Sequence, residues 1–288
     1  MNFGNVLSAM VTPFDDQGNI DYEQTTMLIN YLLNNGTDGL VVAGTTGESP
    51  TLTTEEKISL FKHVVKVVNK RVPVIAGTGT NNTASSILLT KEAENCGVDA
   101  IMLVAPYYNK PNQRGLYEHF AAIANETTLP VMLYNIPGRS VVKMSADTII
   151  DLSNISNIVS VKEASGDLEQ VANIIENTTS NFTVYSGDDS LTLPMLAIGA
   201  DGIVSVASHI IGKEIQEMVQ AYHAGDVKKA SSIHRSVLPI MAGLFKYPSP
   251  TPVKAALNIK GIATGGVRLP LLTLTKDEEN EIKELIDG

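Results

Sequence analysis

The segment Ala100-Ile-Met-Leu-Val-Ala105 is apolar at every position and is followed by the polar group Pro106-Tyr-Tyr-Asn109. A strand with one face in water alternates apolar and polar side chains, whereas a strand covered by helices on both faces is apolar throughout. Eight short apolar, β-branched runs of this kind occur along the chain: Val6–Val11, Gly39–Ala43, Val72–Ala76, Ala100–Ala105, Pro130–Tyr134, Ile158–Lys162, Phe182–Ser186 and Gly202–Val206. The sequence therefore predicts a parallel sheet enclosed by helices.

Stretches with helical spacing separate these runs. The apolar residues of Asp21–Asn35 share one helix face, Thr53-Thr-Glu-Glu56 has the capping-box pattern of a helix start, and Asn81–Cys96 is a further helix. Strand and helix alternate with a repeat of about thirty residues, which is typical of parallel βα units. Eight such units favour a closed (β/α)8 barrel, the TIM-barrel architecture, over a doubly wound sheet.

The chain after the eighth strand is also predicted to be helical. A helix over Lys213–Ala224 completes the barrel, and three more are expected over Asp226–Phe245, Thr251–Ile259 and Asp277–Ile286. No low-complexity linker precedes them. We therefore expect a catalytic barrel over residues 1–224 and a C-terminal helical extension over residues 225–288 that packs on it.

The composition is that of an acidic globular chain of 288 residues. Its 43% hydrophobic and 18% charged residues exclude a disordered protein, and its net charge of −10 disfavours nucleic acid or an anionic membrane as a partner. Cys96 is the single cysteine and the histidines lack paired ligand spacing, so neither a disulfide nor a metal site is predicted. The first basic residue is Lys57, which argues against a signal peptide and for a cytoplasmic location.

Lys162, at the end of the sixth strand, is the most informative candidate active-site residue. Barrels of this class hold their active sites at the C-terminal ends of the strands. A lysine inside such a barrel loses its hydration, which favours the neutral amine, and a neutral amine can attack a carbonyl to form a Schiff base. The alternative is a lysine that extends into solvent or pairs with a carboxylate.

Three other strand ends carry groups suited to carbonyl chemistry. Tyr134 can transfer the protons that imine formation requires, and the hydroxyls of Thr45 and Tyr108 can extend that relay to solvent. Arg139 can hold a substrate carboxylate in a bidentate ion pair. Each of these residues alone is more often a packing or surface residue, so the prediction depends on their falling together on one rim.

These residues lie in motifs that resemble the dihydrodipicolinate synthase family of the class I pyruvate aldolases. The resemblance extends from Ala9-Met-Val-Thr-Pro13 to Arg268-Leu-Pro270. Its most specific parts are Gly44-Thr-Thr-Gly-Glu-Ser49, Tyr134-Asn-Ile-Pro-Gly-Arg139 and Lys162-Glu-Ala164. The resemblance implies a lyase that condenses pyruvate with L-aspartate 4-semialdehyde and closes a ring, at the entry to diaminopimelate and lysine synthesis.

The resemblance also implies a role for each catalytic position. Lys162 would form the Schiff base with pyruvate. Thr45, Tyr108 and Tyr134 would form a proton relay. Tyr108 would act beside Lys162 of a neighbouring subunit, which implies a homo-oligomer, either a dimer or a tetramer.

The remaining implied roles concern substrate binding. Thr46 would contact the pyruvate carboxylate, and Arg139 would bind the second substrate. Gly187 and Val204 would line the pocket. The chemistry needs no cofactor and no metal, because the covalent Schiff base supplies the electron sink.

Two other classes of function remain open at this point. N-acetylneuraminate lyases and 2-keto-3-deoxy sugar-acid aldolases share the barrel and the lysine, but they generally lack an arginine at the position of Arg139. A non-catalytic keto-acid sensor would keep the pocket without turnover. The synthase is favoured because the lysine, both tyrosines, the threonine and the arginine are all present, and a fixed guanidinium suits a second carboxylated substrate.

One departure from the family concerns feedback inhibition by lysine. In lysine-inhibited members, histidine and glutamate side chains near the dimer cleft help to bind the effector. The matching positions hold Thr54, Lys57 and Ser85, while Ser49, Asn81 and Tyr107 are kept. Lys57 would repel a cationic effector, so the sequence predicts weak or absent inhibition.

Overall fold

A computed structural model describes residues 3–288 and shows eight parallel strands that close into a barrel. The strands follow one another around the barrel in chain order, and β8 pairs with β1 to complete the circle. The strands are β1 (Val6–Ala9), β2 (Gly39–Val42), β3 (Val74–Gly77), β4 (Ala100–Val104), β5 (Val131–Asn135), β6 (Ile158–Glu163), β7 (Thr183–Ser186) and β8 (Gly202–Ser205). The predicted fold class is confirmed.

Helices surround the barrel and continue beyond it. Within residues 3–288 they are α1 (Tyr22–Asn34), α2 (Thr54–Val68), α3 (Thr83–Asn95), α4 (Gln113–Ala124), α5 (Pro137–Ser140), α6 (Ala146–Leu152), α7 (Leu168–Asn177), α8 (Thr192–Ala197), α9 (Ser208–His223), α10 (Val227–Gly243), α11 (Thr251–Ile259) and α12 (Lys276–Asp287). The eight βα units of the sequence prediction imply helices between the later strands, but no bounds were predicted for α4 to α8. The sequence prediction also started α9 at Lys213, whereas the helix begins at Ser208 and passes through the non-helical residue Ile211.

Side-chain caps fix the start of α2, which ends the loop after β2. The Thr53 side chain accepts a hydrogen bond from the Glu56 N–H, and the Glu56 carboxylate accepts one from the Thr53 N–H. This reciprocal pair confirms the predicted capping box. Because α2 packs its apolar face on the barrel, the cap also fixes where the preceding loop must end.

The core has two layers that follow from the strand pattern. Side chains pointing outward from the strands pack under the helices, and side chains pointing inward fill the barrel. The inner layer consists of Phe3, Leu7, Ala9, Val41, Ile75, Ala100, Met102, Met132, Tyr134, Tyr185 and Val204. The barrel interior is therefore packed, and chemistry is confined to its C-terminal end.

The three C-terminal helices contribute to the outer layer of the core. Val237 and Met241 of α10, Leu257 of α11 and Ile282 of α12 are all buried in the same cluster as the barrel helices. The extension is therefore held by apolar burial as well as by polar contacts. Among residues 3–288, no helix combines the length and the apolar character needed to span a bilayer.

His209, near the start of α9, is hydrogen-bonded to the segment that directly follows β1. The Val11 N–H donates to His209 Nε2 at 3.2 Å, so Nδ1 must carry the hydrogen that it shares with the Val206 carbonyl at 2.8 Å. The ring is fully buried, and burial lowers the pKa of His209 to about 4. The fold therefore requires the neutral imidazole.

We expect the protein to lose stability as the pH falls from about 6.5 to about 4. The folded-state pKa of His209 lies below that of the unfolded chain, so the unfolded state takes up the proton first, and the loss from this residue is roughly 3 kcal/mol. Denaturant unfolding at a series of pH values measures it. His209→Gln should reduce the slope of the free energy of unfolding against pH. His119→Gln is the comparison variant, because burial also lowers the pKa of His119 to about 4. An unchanged slope in both variants would contradict the assignment.

Candidate active site

Lys162 lies inside the C-terminal end of the barrel, against the face of Tyr134. The two residues are register partners on β6 and β5, and Lys162 Nζ lies 4.3 Å from the centroid of the tyrosine ring. Lys162 is 4% exposed, and among the described residues it takes part in no salt bridge. The alternatives of a solvent-exposed or carboxylate-paired lysine are therefore excluded in this chain.

A second pair of residues, pointing outward from the same strands, fixes this register. Asn135 and Glu163 are the next partners along β5 and β6, and Asn135 Nδ2 donates to Glu163 Oε2 at 2.9 Å. The buried carboxylate accepts two further hydrogen bonds, from Gln170 Nε2 and from the Ser165 N–H. A one-residue slip would turn every side chain to the opposite face. The buried amide–carboxylate cluster thus holds Tyr134 beside Lys162.

Gly187 leaves space for the lysine side chain. A Cβ atom at this position would lie 2.7 Å from the Ala164 Cβ and 3.0 Å from Lys162 Cε. Any larger residue would displace the aliphatic part of Lys162. The contact places Gly187 beside the lysine, and Val204 lies in the packed layer inside the barrel.

A cavity of about 260 Å³ opens above this layer at the C-terminal end of the barrel. Of the predicted residues, Thr45, Tyr134 and Arg139 form part of its wall, and Thr46 is buried in the same loop as Thr45. The predicted residues Lys162, Gly187 and Val204 are not part of this wall. Arg139 takes part in no salt bridge among residues 3–288, so its guanidinium is available for an anion. The lining residues are Ala43, Gly44, Thr45, Ser49, Pro50, Gly77, Gly79, Met102, Val104, Tyr107, Tyr134, Ile136, Arg139 and Ser140.

Gly77 and Gly79 are wall residues that the sequence prediction did not assign to the site. A Cβ atom on Gly77 would lie 2.5 Å from the Ala43 carbonyl oxygen, and one on Gly79 would lie 2.4 Å from the Val104 nitrogen. Gly77 lets the loop after β2 approach the end of β3, and Gly79 lets the loop after β3 approach the end of β4. This steric role depends on which loops meet in the folded chain, so no local sequence pattern indicated it.

The loop that carries Thr45 and Thr46 is bounded by two unusual backbone conformations. Ala43 has φ of 52° and Glu48 has φ of 57°, a region that residues with a Cβ atom rarely adopt. Such a conformation costs roughly 1–3 kcal/mol and persists only where the surroundings fix it. The hydroxyl-bearing turn is therefore held in place by contacts outside itself.

Tyr108 is not brought into the cavity within a single chain. Its side chain is 89% exposed, and its φ of 75° places it at the centre of a γ-turn closed by the Asn109 N–H and the Tyr107 carbonyl at 2.9 Å. Asn81 Nδ2 donates to the same Tyr107 carbonyl, and Asn109 Nδ2 donates to the Asn81 carbonyl. A rigid turn thus presents an exposed phenol outward from the rim.

Comparisons with known proteins agree with this site. The Dihydrodipicolinate synthetase family model matches residues 2–288. The chain is 63% identical over 287 residues to "4-hydroxy-tetrahydrodipicolinate synthase 2" of Halalkalibacterium halodurans, covering 100% of this chain and 98% of that protein. The dihydrodipicolinate synthase structure from Bacillus anthracis superposes with a TM-score of 0.99 at 59% identity, over 100% of this chain and 99% of the other. The structure of the enzyme from Cyanidioschyzon merolae with lysine bound has a TM-score of 0.97 at 46% identity, over 99% and 97%.

The chain belongs to the dihydrodipicolinate synthetase family. It is a lyase with 4-hydroxy-tetrahydrodipicolinate synthase activity. The expectation from the sequence is thereby confirmed. The relatives named above are synthases, and none of them is named a sugar-acid lyase or a sensor.

Proposed function

We propose that Lys162 carries the reaction by forming a Schiff base with pyruvate. The observation behind this proposal is a buried amine that lies against Tyr134 and has no carboxylate partner among the described residues. The neutral Nζ adds to the pyruvate ketone carbon, water leaves, and a protonated imine results. The imine accepts the electron pair released when the adjacent methyl carbon loses a proton. The resulting enamine is the carbon nucleophile.

The cavity wall supplies groups for the following steps. The enamine attacks the aldehyde carbon of L-aspartate 4-semialdehyde, and the new alkoxide takes up a proton from the relay of Tyr134 and Thr45. The amine of the bound semialdehyde then adds to the imine carbon and displaces Lys162 Nζ, which closes the ring and frees the enzyme. Thr46 binds the pyruvate carboxylate, and Arg139 pairs with the carboxylate of the semialdehyde. No metal or cofactor is needed, and a cytoplasmic location stays a prediction from the sequence.

Borohydride reduction in the presence of pyruvate tests the Schiff base. We expect a pyruvate-derived adduct on Lys162 by mass spectrometry of the digested protein, because reduction converts the imine to a stable secondary amine. Lys162→Arg keeps the charge but cannot form the imine, so it should give no adduct and lose essentially all turnover. The control is Lys246→Arg, at an exposed lysine of the C-terminal extension, and it should keep both the adduct on Lys162 and the turnover. An adduct on another lysine, or none on the wild type, would contradict the proposal.

We propose further that the site is completed by Tyr108 of a second subunit. The support is the exposed phenol on a rigid turn, which lies at the rim but outside the cavity of its own chain. A phenol that is 89% exposed in one chain can enter a neighbour's site across a two-fold axis. The homo-oligomer predicted from the sequence would then be required for activity.

Mixing two inactive variants tests this arrangement. Chains with Lys162→Ala and chains with Tyr108→Phe should each have little activity alone. After joint refolding, a mixed dimer contains one complete site, because the Lys162→Ala chain supplies Tyr108 to the partner. Random pairing would restore roughly a quarter of the wild-type rate. No recovery, with dimers confirmed by light scattering, would mean that Tyr108 acts within its own chain.

We propose, finally, that free lysine inhibits the enzyme weakly. Lys57 is 8% exposed and takes part in no salt bridge of the described residues, so no carboxylate neutralises its charge there. A protonated Lys57 would repel a cationic effector at the position matched to the family's effector cleft.

Initial rates at increasing lysine concentrations measure this. We expect little inhibition at millimolar lysine in the wild type and stronger inhibition in Lys57→Met, which removes the charge and keeps the chain length. Half-inhibition of the wild type at sub-millimolar lysine would contradict the prediction.

A further inference from the structure

Glu48, at the end of the loop that carries Thr45 and Thr46, is held by the C-terminal extension. Its carboxylate is 3% exposed. Lys254 Nζ, on α11, donates to Glu48 Oε1 at 3.1 Å, and the Arg268 N–H donates to Glu48 Oε2 at 2.9 Å. Both carboxylate oxygens are therefore bound by residues more than two hundred positions away in the chain.

Lys254 also links this contact to the loop after β1. Its amine, on a residue only 2% exposed, donates to the Thr12 carbonyl at 2.9 Å, and Thr12 Oγ1 donates to the Gly47 carbonyl at 2.8 Å. Together with the Glu48–Lys254 ion pair, these two hydrogen bonds form a ring of contacts through Thr12 and Gly47. The backbone at Gly47 and Glu48 is thus held by residues that lie outside this loop.

Arg268 is in turn anchored by a second carboxylate. Its guanidinium makes a bidentate pair with Glu56 at 2.6 and 2.9 Å and donates to the Thr51 carbonyl at 2.8 Å. Glu56 is the capping-box residue of α2. The two cations flank one ring, since Lys254 Nζ and Arg268 Cζ lie 4.3 and 4.4 Å from the centroid of Phe14.

The loop needs this support because its own backbone is strained. Glu48 adopts the left-handed conformation, and its N–H closes the turn by donating to the Thr45 carbonyl at 3.1 Å. If the side chain were released, the residue would relax toward the common conformations, and that turn would open. The hydroxyl groups of Thr45 and Thr46 would then move relative to Lys162.

We propose that Glu48 and Lys254 are positioning residues, through which the C-terminal extension holds the hydroxyl-bearing loop in its reactive geometry. The proposal rests on the proposed roles of Thr45, Thr46 and Lys162. A purely structural pair would contribute to folding alone. Buried ion pairs, however, add little net stability compared with apolar residues of the same size, whereas they fix geometry through directional contacts.

Steady-state kinetics of Glu48→Gln test the proposal. This variant keeps the size of the side chain and removes the charge that Lys254 and the Arg268 N–H bind. We expect kcat/KM for pyruvate to fall about 10- to 100-fold, as for other small displacements of reacting groups. Borohydride labelling of Lys162 at saturating pyruvate should still reach the wild-type stoichiometry, because the lysine lies on a different element.

The matched control is Glu281→Gln, which breaks another ion pair of the extension, with Lys246 at its exposed surface. Its kinetic constants should equal those of the wild type. If Glu48→Gln does not fold, the double variant Glu48→Gln/Lys254→Met removes both buried charges together, and Arg268→Lys removes the bidentate grip at a partly exposed site. The double variant should show the same loss of kcat/KM. Arg268→Lys should show a smaller loss, because it keeps the backbone N–H that binds Glu48. Both variants should have the circular dichroism spectrum of the folded wild type.

Wild-type kcat/KM in a folded Glu48→Gln or double variant would overturn the proposal. The proposal would also be overturned if the activity lost in Glu48→Gln were no larger than its unfolded fraction. An equal loss of kcat/KM in Glu281→Gln would overturn it as well. If the wild type itself gave no pyruvate adduct on Lys162, the proposed function would fail, and that result is separate from any comparison among the variants.

Discussion

The contact between Lys162 and Tyr134 depends on the register of two adjacent parallel strands, and the rest of the site depends on that contact. An amine can be kept inside a barrel only if neighbouring groups replace the water it has lost. The face of the Tyr134 ring covers the amine, and no carboxylate among residues 3–288 forms a salt bridge with it. The Asn135–Glu163 pair holds the same register from the opposite face of the sheet.

The acidic composition has no bearing on this chemistry. The chain carries a net charge of −10, yet its active end concentrates Lys162 and Arg139 without salt-bridge partners among residues 3–288. Fields at short range and in partly dehydrated surroundings exceed the screened field of distant surface carboxylates. Two carboxylated substrates are therefore attracted locally, while polyanions meet an acidic surface.

Strand ends were predictable from the sequence because the apolar runs and the polar residues after them mark the rim directly. Lys162, Tyr134, Thr45 and Arg139 were predicted in this way, and the structure places Lys162 against Tyr134, which shares the cavity wall with Thr45 and Arg139. The contacts of Lys254 and Arg268 with Glu48 could not be predicted from the sequence, because they join residues far apart in the chain and no local pattern indicates them. No bounds were predicted for α4 to α8 for a related reason. The helices α5, α6 and α8 have only 4, 7 and 6 residues, and short helices depend on packing against the barrel.

The C-terminal extension supports the loop after β2, which the barrel alone does not fix. A closed barrel fixes its strands strongly but leaves the loops above them weakly determined. The loop after β2 has left-handed residues at both ends, so it must be held by something packed over the rim. Lys254 and Arg268 reach that loop from the extension, and burial lowers the pKa of Lys254 to about 8 even though Glu48 opposes the shift. Burying the charge of Lys254 costs desolvation energy, so the ion pair with Glu48 is better explained by its effect on the geometry of the loop than by stability alone.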